Sequence, residues 1–183
     1  MKRSACILVF CLVSVVLLIP QTNWAADECF LRIEGIRGDA QAKGYQDWIN
    51  ITGWSLGGPS APPVSSATTR MIAPVKNELK ITKYLDIASP ALQLARHSGT
   101  LFRRARLECR RLVRDASVIS VAFEFESVQV TGLQNHHSTG GNIFEAASIG
   151  FYKIKMIFTP VSPDGKALGQ VISGWDYQLN KTY

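Results

Sequence analysis

The chain carries little with which to do chemistry. Its 183 residues include three histidines and four cysteines. No G-x-S-x-G, P-loop or G-x-G-x-x-G segment occurs, so nothing marks an α/β-hydrolase, a nucleotide hydrolase or a dinucleotide-binding enzyme. His136 and His137 are adjacent, and on a strand they would point to opposite faces. With Glu145 they can be drawn as a metal site, but no H-x-x-x-H or C-x-x-C spacing supports it. We therefore expect no catalytic residue, no cofactor and no metal. No internal repeat is present, which excludes a solenoid. Charged residues are 19% and hydrophobic ones 46%, a balance that excludes disorder and fits one folded domain with a sizeable core.

A membrane-spanning run of about 20 apolar residues is also missing. The most apolar stretch, Ile7–Ile19, has 13 residues and is interrupted by Ser14. Lys2 and Arg3 precede it, Pro20 ends it, and small residues follow. This is the layout of a secretory signal peptide over residues 1–26, cleaved after Ala25 or Ala26; an uncleaved anchor is the alternative. The mature domain then runs over 27–183, exported to the periplasm or outside, with no membrane attachment after cleavage. Of the 20 basic residues two lie in the leader, leaving 18 against 14 acids and a net charge of +4. That demands no nucleic-acid partner. Cys6 and Cys11 leave with the leader. Cys29 and Cys109 remain, and they are either a disulfide in an oxidising compartment or two small core residues.

What the mature chain does have is period-2 alternation. Cys29–Glu34 and Asp47–Ser55 read as strands, with Ile49 and Ile51 facing opposite to Trp48 and Trp54. Gly57–Pro74 is a long connection rich in Pro, Ser and Gly. In the next strand Leu79, Ile81 and Lys83 alternate with Lys80, Thr82 and Tyr84. A short helix follows over about 90–98, with Ser89 as N-cap, Pro90 in the first turn, Leu92, Ala95 and Leu94 on its apolar side and Gly99 as its left-handed stop. Strands return at Arg104–Val113 and Val118–Leu133. In the second, Ile119, Val121, Phe123 and Phe125 form one face. The pattern slips after Ser127 to Val128 and Val130, which predicts a bulge or bend where the strand crosses between sheets. Ala147–Thr159, with Tyr152, Ile154, Met156 and Phe158 on one face, and Trp175–Leu179 complete the set, with a turn at Pro163-Asp164-Gly165 between them. Many short strands and one helix predict a β-barrel or sandwich.

Six arginines, Arg103, Arg104, Arg106, Arg110, Arg111 and Arg114, crowd around Glu108. Only Phe102 is near them for stacking, so they read as a polar sheet face that meets acids such as Glu124 or Glu126, in the same or a neighbouring subunit. His97, in the helix's last turn, suits the C-terminal carbonyls.

Three ordered blocks resemble the Hcp proteins of type VI secretion. The central one is Thr82-Lys83-Tyr84, Asp86, Ala88-Ser89-Pro90, Leu92, Leu94-Ala95 and Ser98-Gly99. Before it stand Phe30–Gly38, Lys43-Gly44 and Asp47-Trp48-Ile49. After it stand Phe151–Ile154, Asp164-Gly165-Lys166 and Gly174-Trp175-Asp176. The resemblance covers about residues 29–180. It implies a mainly β fold, a barrel of two packed sheets with a helix against it, and hexameric rings that stack into a tube able to carry small effector proteins. In that setting the 57–74 loop reaches a neighbouring ring, and the function is structural, with no catalytic step. A tube subunit of this family needs no leader, so residues 1–26 keep as the alternative a stand-alone exported paralogue acting as a periplasmic or extracellular binding module.

Overall fold

The computed structural model describes residues 27–57, 77–113, 116–137, 141–162 and 165–183. The predicted leader with Ala25 and Ala26, residues 58–76 of the long connection, Arg114, and Pro163 and Asp164 of the predicted turn lie outside the described residues. Among the described residues, ten strands and one helix follow in the order β1 (Asp27–Ile33), β2 (Ile49–Ile51), β3 (Gly53–Gly57), β4 (Glu78–Tyr84), α1 (Ser89–Ser98), β5 (Leu101–Val113), β6 (Ala116–His136), β7 (Phe144–Gly150), β8 (Lys153–Phe158), β9 (Val171–Asp176) and β10 (Lys181–Thr182). All pairings are antiparallel.

The pairings close a circuit. β1 lies between β2 and β5, β5 pairs β6, β6 pairs β7, β7 pairs β4 and β4 pairs β3. β2 and β3 are separated only by Thr52, whose N–H donates to Thr82 O at 2.9 Å. The predicted strand Asp47–Ser55 is thus two strands, one for each sheet. Its hydrogen-bond partner changes at Thr52. The inward side shifts there too: Ile49 and Ile51 face the core before Thr52, while after it Leu56 packs on that core and Trp54 meets Phe123, so Trp54 does not face away from it as expected. Asp47 falls in a turn with φ 65° instead. β6 belongs to both sheets: residues up to Gln129 pair β5, and those from Gln129 onward pair β7. The predicted slip sits where the strand bends, with Ser127 at φ 54° and a register shift between Val130 and Gly132.

The barrel is filled by alternate side chains of each strand. Leu31, Ile33, Ile49, Leu79, Ile81, Leu107, Phe123, Phe125, Val128 and Ile149 share one cluster, and each side chain so buried contributes about 1.5–3 kcal/mol. α1 packs on it through Leu92 and Ala95, while Leu94 is 69% exposed and does not join the apolar side. Gly99 ends the helix at φ 67° as expected. Ile119 also leaves its expected face: a register shift between Cys109 and Arg110 turns the start of β6, burying Ser120 and exposing Ile119.

Two features lie outside the barrel. The connection from Gly35 to Trp48 folds over the outer face of β1 and forms a small core of Phe30, Ala40 and Tyr45. Gly38 permits this, because a Cβ there would stand 2.1 Å from Trp48 O. Beyond β6, a ribbon of β8, β9 and β10 extends the sheet. The predicted strand Ala147–Thr159 breaks at Phe151-Tyr152, where the chain leaves one sheet and joins the other. The last strand ends at Asp176, not Leu179. Asp176 Oδ1 accepts from the N–H groups of Gln178 (2.9 Å) and Leu179 (3.0 Å) and so builds the turn into β10.

Those backbone donors, with the ammonium of Lys153 at 3.3 Å, hold the Asp176 carboxyl below its ordinary range. A carboxyl lowered by folding stabilises fully above its unfolded value and loses that contribution as pH falls through the folded one. The ribbon end is therefore expected to open first in acid, read as faster amide exchange over Gly174–Thr182. Asp176→Asn should lose this acid sensitivity; an unchanged profile would discard the assignment.

Candidate functional site

The motif Thr82-Lys83-Tyr84…Asp86…Ser89 builds a buried charge hub. Strand alternation turns Lys83 into the barrel, where it is 0% exposed. Its ammonium donates to Asp86 Oδ1 (2.6 Å), Ser89 Oγ (2.9 Å) and Tyr84 O (2.9 Å), which occupies all three N–H groups. Ser89 is therefore not the N-cap that its sequence suggests. Its hydroxyl accepts from Lys83 and from the Asp86 N–H, and Ala88 stands at the cap with no side-chain capping bond. Tertiary demand for a buried acceptor outweighs the local cap, worth about 1 kcal/mol.

Glu145 lies directly opposite Lys83 in the β4–β7 register. It is equally buried, with Oε1 3.1 Å from the ammonium. The contact is an ion pair without hydrogen-bond alignment. No donor among the described residues is aligned on either Glu145 oxygen. One cation thus faces two carboxylates inside the fold. Such a set adds little net stability, but it fixes geometry, since each member tolerates only one arrangement. Here it ties β4, the Asp86–Ser89 corner and β7 together.

The arginine face pairs within the chain. Arg106 bridges Glu108 and Glu124, Arg104 reaches Glu126 at 3.8 Å, Arg111 meets Asp27 and Arg110 meets Glu28. Lys153 and Lys155 approach the same glutamates from β8. Glu108 is buried, because the loop covering β1 lays Tyr45 on it; the Tyr45 hydroxyl donates to Glu108 Oε2 at 2.8 Å. Burial and that bond hold the Tyr45 phenol well above its ordinary range. Arg110 lies 5.2 Å from the centroids of both the Phe30 and Tyr45 rings, a cation–π contact. Sequence patterning puts Arg106, Glu108 and Arg110 on one face. It gives no sign of Tyr45, which arrives from a loop.

Cys29 and Cys109 are register partners in β1 and β5, with Cα atoms 4.1 Å apart and sulfurs at bonding distance. Trp54 Nε1 donates to Cys109 Sγ at 3.2 Å. The histidines are not brought together with Glu145: His136 and His137 are exposed at the end of β6 while Glu145 faces Lys83. Among the described residues, no three His, Cys, Asp or Glu side chains group closely enough to hold a metal ion. A cleft of about 570 Å³ crosses the second sheet beside Trp54, Lys80, Thr82, Arg96, Gln134 and Ser148. It contains no nucleophile paired with a base.

The conspicuous polar groups among the described residues thus serve the geometry of the barrel itself. The comparisons say what kind of barrel this is. Residues 30–158 match the family model described as type VI secretion system effector, Hcp, and the chain belongs to that family. It is a tube protein of type VI secretion. Protein hcp1 of Pseudomonas aeruginosa is 25% identical over 158 residues, covering 85% of this chain and 98% of that one. The crystal structure of Hcp1 from Salmonella typhimurium has a TM-score of 0.70 at 23% identity, over 86% of this chain and 99% of its own. A further solved type six secretion system protein reaches 0.74 at 23% identity, over 86% and 100%.

Proposed function

We propose that the chain assembles as a homo-hexameric ring that stacks into a secreted tube able to hold small effector proteins in its lumen. Assembly is its whole function, with no catalytic step and no cofactor. The observation that carries this reading is the match of residues 30–158 to the tube family. The sequence of residues 1–26 adds that this member is exported through a cleaved leader, and the facing Cys29 and Cys109 suit an oxidising compartment.

The test is to express the full chain with its own N-terminal segment in a bacterial host and recover the periplasmic and culture fractions. Intact mass is expected to show a chain beginning at Ala26 or Asp27. Light scattering is expected to give six times the chain mass, and electron microscopy to show rings. A monodisperse monomer at all concentrations would discard the ring and leave an exported binding module. An uncleaved chain in the membrane fraction would discard the leader.

A further inference from the structure

The outer face of the first sheet carries a second cleft, of about 540 Å³, within the usual size of small-molecule sites. Strand alternation sets its floor. In one rung Arg104 of β5 stands opposite Glu126 of β6, Glu126 opposite Lys153 of β8 and Lys153 opposite Asp176 of β9, so every cation has an acid beside it. In the next rung Arg32 of β1 stands opposite Arg106, Arg106 opposite Glu124, Glu124 opposite Lys155 and Lys155 opposite Gly174. Arg106 and Lys155 both take Glu124, and Arg106 takes Glu108 as well. Arg32 is left over. It is exposed, and among the described residues no acid lies within ion-pairing distance of it. Like charges directly opposite each other destabilise a sheet, so the fold gains nothing from an arginine at this place.

Aromatic rings bound the cleft at both ends. Trp48 packs on the Phe30 cluster over β1 and is braced edge-on by Tyr45, with centroids 5.1 Å apart. Tyr183 lies over β9 at the far end, where Gly174 makes the room: a Cβ there would stand 2.9 Å from Tyr183 O and 3.3 Å from its ring. Between them the floor crosses β1, β5, β6 and β8, about 14 Å at about 4.8 Å between neighbouring strands.

We propose that this cleft binds a short acidic saccharide, with its carboxylate on Arg32, its hydroxyls on the acids and lysine of the floor, and its ring faces on Trp48 and Tyr183. An unpartnered guanidinium is the side chain that takes a carboxylate in a two-pronged contact. Glu34, Glu124 and Glu126 line the same cleft and repel a phosphate chain or a nucleic acid, so the ligand carries few charges. Alternating donors and acceptors match hydroxyl groups, which both give and accept hydrogen bonds. The two aromatic rings suit the flat C–H faces of sugars, and a single amino acid is too short to touch both. The inference goes beyond the ring reading and needs no second copy of the chain.

The experiment titrates the purified full chain by calorimetry with a glucuronosyl-glucose disaccharide. Cellobiose, a tri-glutamate peptide and inorganic phosphate are the comparison ligands. The acidic disaccharide is expected to bind saturably, and about tenfold or more tighter than cellobiose, since the Arg32 contact is charge-assisted. Arg32→Gln is expected to erase that preference while leaving the urea midpoint no lower, because it removes the repulsion with Arg106. Tyr183→Ala is expected to weaken the disaccharide several-fold with circular dichroism unchanged. A clear drop in midpoint for Arg32→Gln would make Arg32 a folding residue and overturn the assignment. Preference for the peptide would give the cleft to a protein partner, and equal displacement by phosphate would reduce it to an anion patch. Either result overturns the proposal, as does the absence of saturable binding by the acidic disaccharide.

Discussion

Lys83→Met is expected to lower the unfolding free energy by about 3–5 kcal/mol, the range for breaking a buried ion set by removing one partner. Methionine fills much of the same volume, so little of the loss comes from packing. The loss comes from Asp86 and Glu145, which remain buried 5% or less exposed in their side chains with no cation between them. Tyr84 O loses the ammonium as donor as well, and Ser89 Oγ keeps only the Asp86 N–H of its two donors. Urea unfolding followed by tryptophan fluorescence reads the change as a lower midpoint at constant slope. Adding Asp86→Asn and Glu145→Gln to the same chain removes the stranded charges and should restore a large part of the stability. Glu145→Gln alone should cost far less than Lys83→Met, because Glu145 is the surplus anion with no aligned donor. A loss under about 1 kcal/mol for Lys83→Met would mean that the hub does not hold the corner.

The hub shows how far a sequence reaches. Alternation with Leu79 and Ile81 is enough to place Lys83 on the buried face, and Asp86 is close enough in the chain to be its partner. Glu145 lies in another strand and becomes a partner only through the β4–β7 register, which no local pattern reports. Ser89 is misread for the same reason. Its position before Pro90 satisfies every local rule for a cap, yet a buried ammonium claims its hydroxyl. The slip at Ser127 is legible because a bend in one strand is a local event. At Thr52 and at Phe151-Tyr152 the inward face moves from odd to even positions, from Ile49 and Ile51 to Leu56 and from Ile149 and Phe151 to Ile154, and reading each stretch as one strand passes over that shift. Met156 and Phe158 show the remaining limit. Period 2 assigns them to one face, but whether a second layer covers that face depends on where the barrel closes, and here the ribbon runs past it. The family motif implied a barrel with a helix against it; the β4–β7 register that completes the hub comes from the coordinates alone.

The pairing of Cys29 with Cys109 is the other large effect. Oxidised chain is expected to exceed reduced chain, or the Cys29→Ser/Cys109→Ser double variant, by roughly 3–5 kcal/mol, since a link between residues 80 apart restricts the unfolded chain strongly. The two residues face each other in the β1–β5 ladder, with Cα atoms 4.1 Å apart, so the link needs no change of register. Neighbouring contacts hold the same register, Asp27 with Arg111 and Glu28 with Arg110, but as partly exposed pairs they add little and would not replace the link. Trp54 gives the readout, because its indole sits on Cys109 Sγ and its emission is expected to rise when the disulfide is reduced. Alkylation of the folded, unreduced protein from an oxidising compartment should modify neither Cys29 nor Cys109, and both should react after reduction and unfolding. Two free thiols in that unreduced sample would show that the residues are only core neighbours. A paired sample whose ring dissociates on reduction, while the barrel stays folded, would show that β1 and β5 must be tied for the copies to meet.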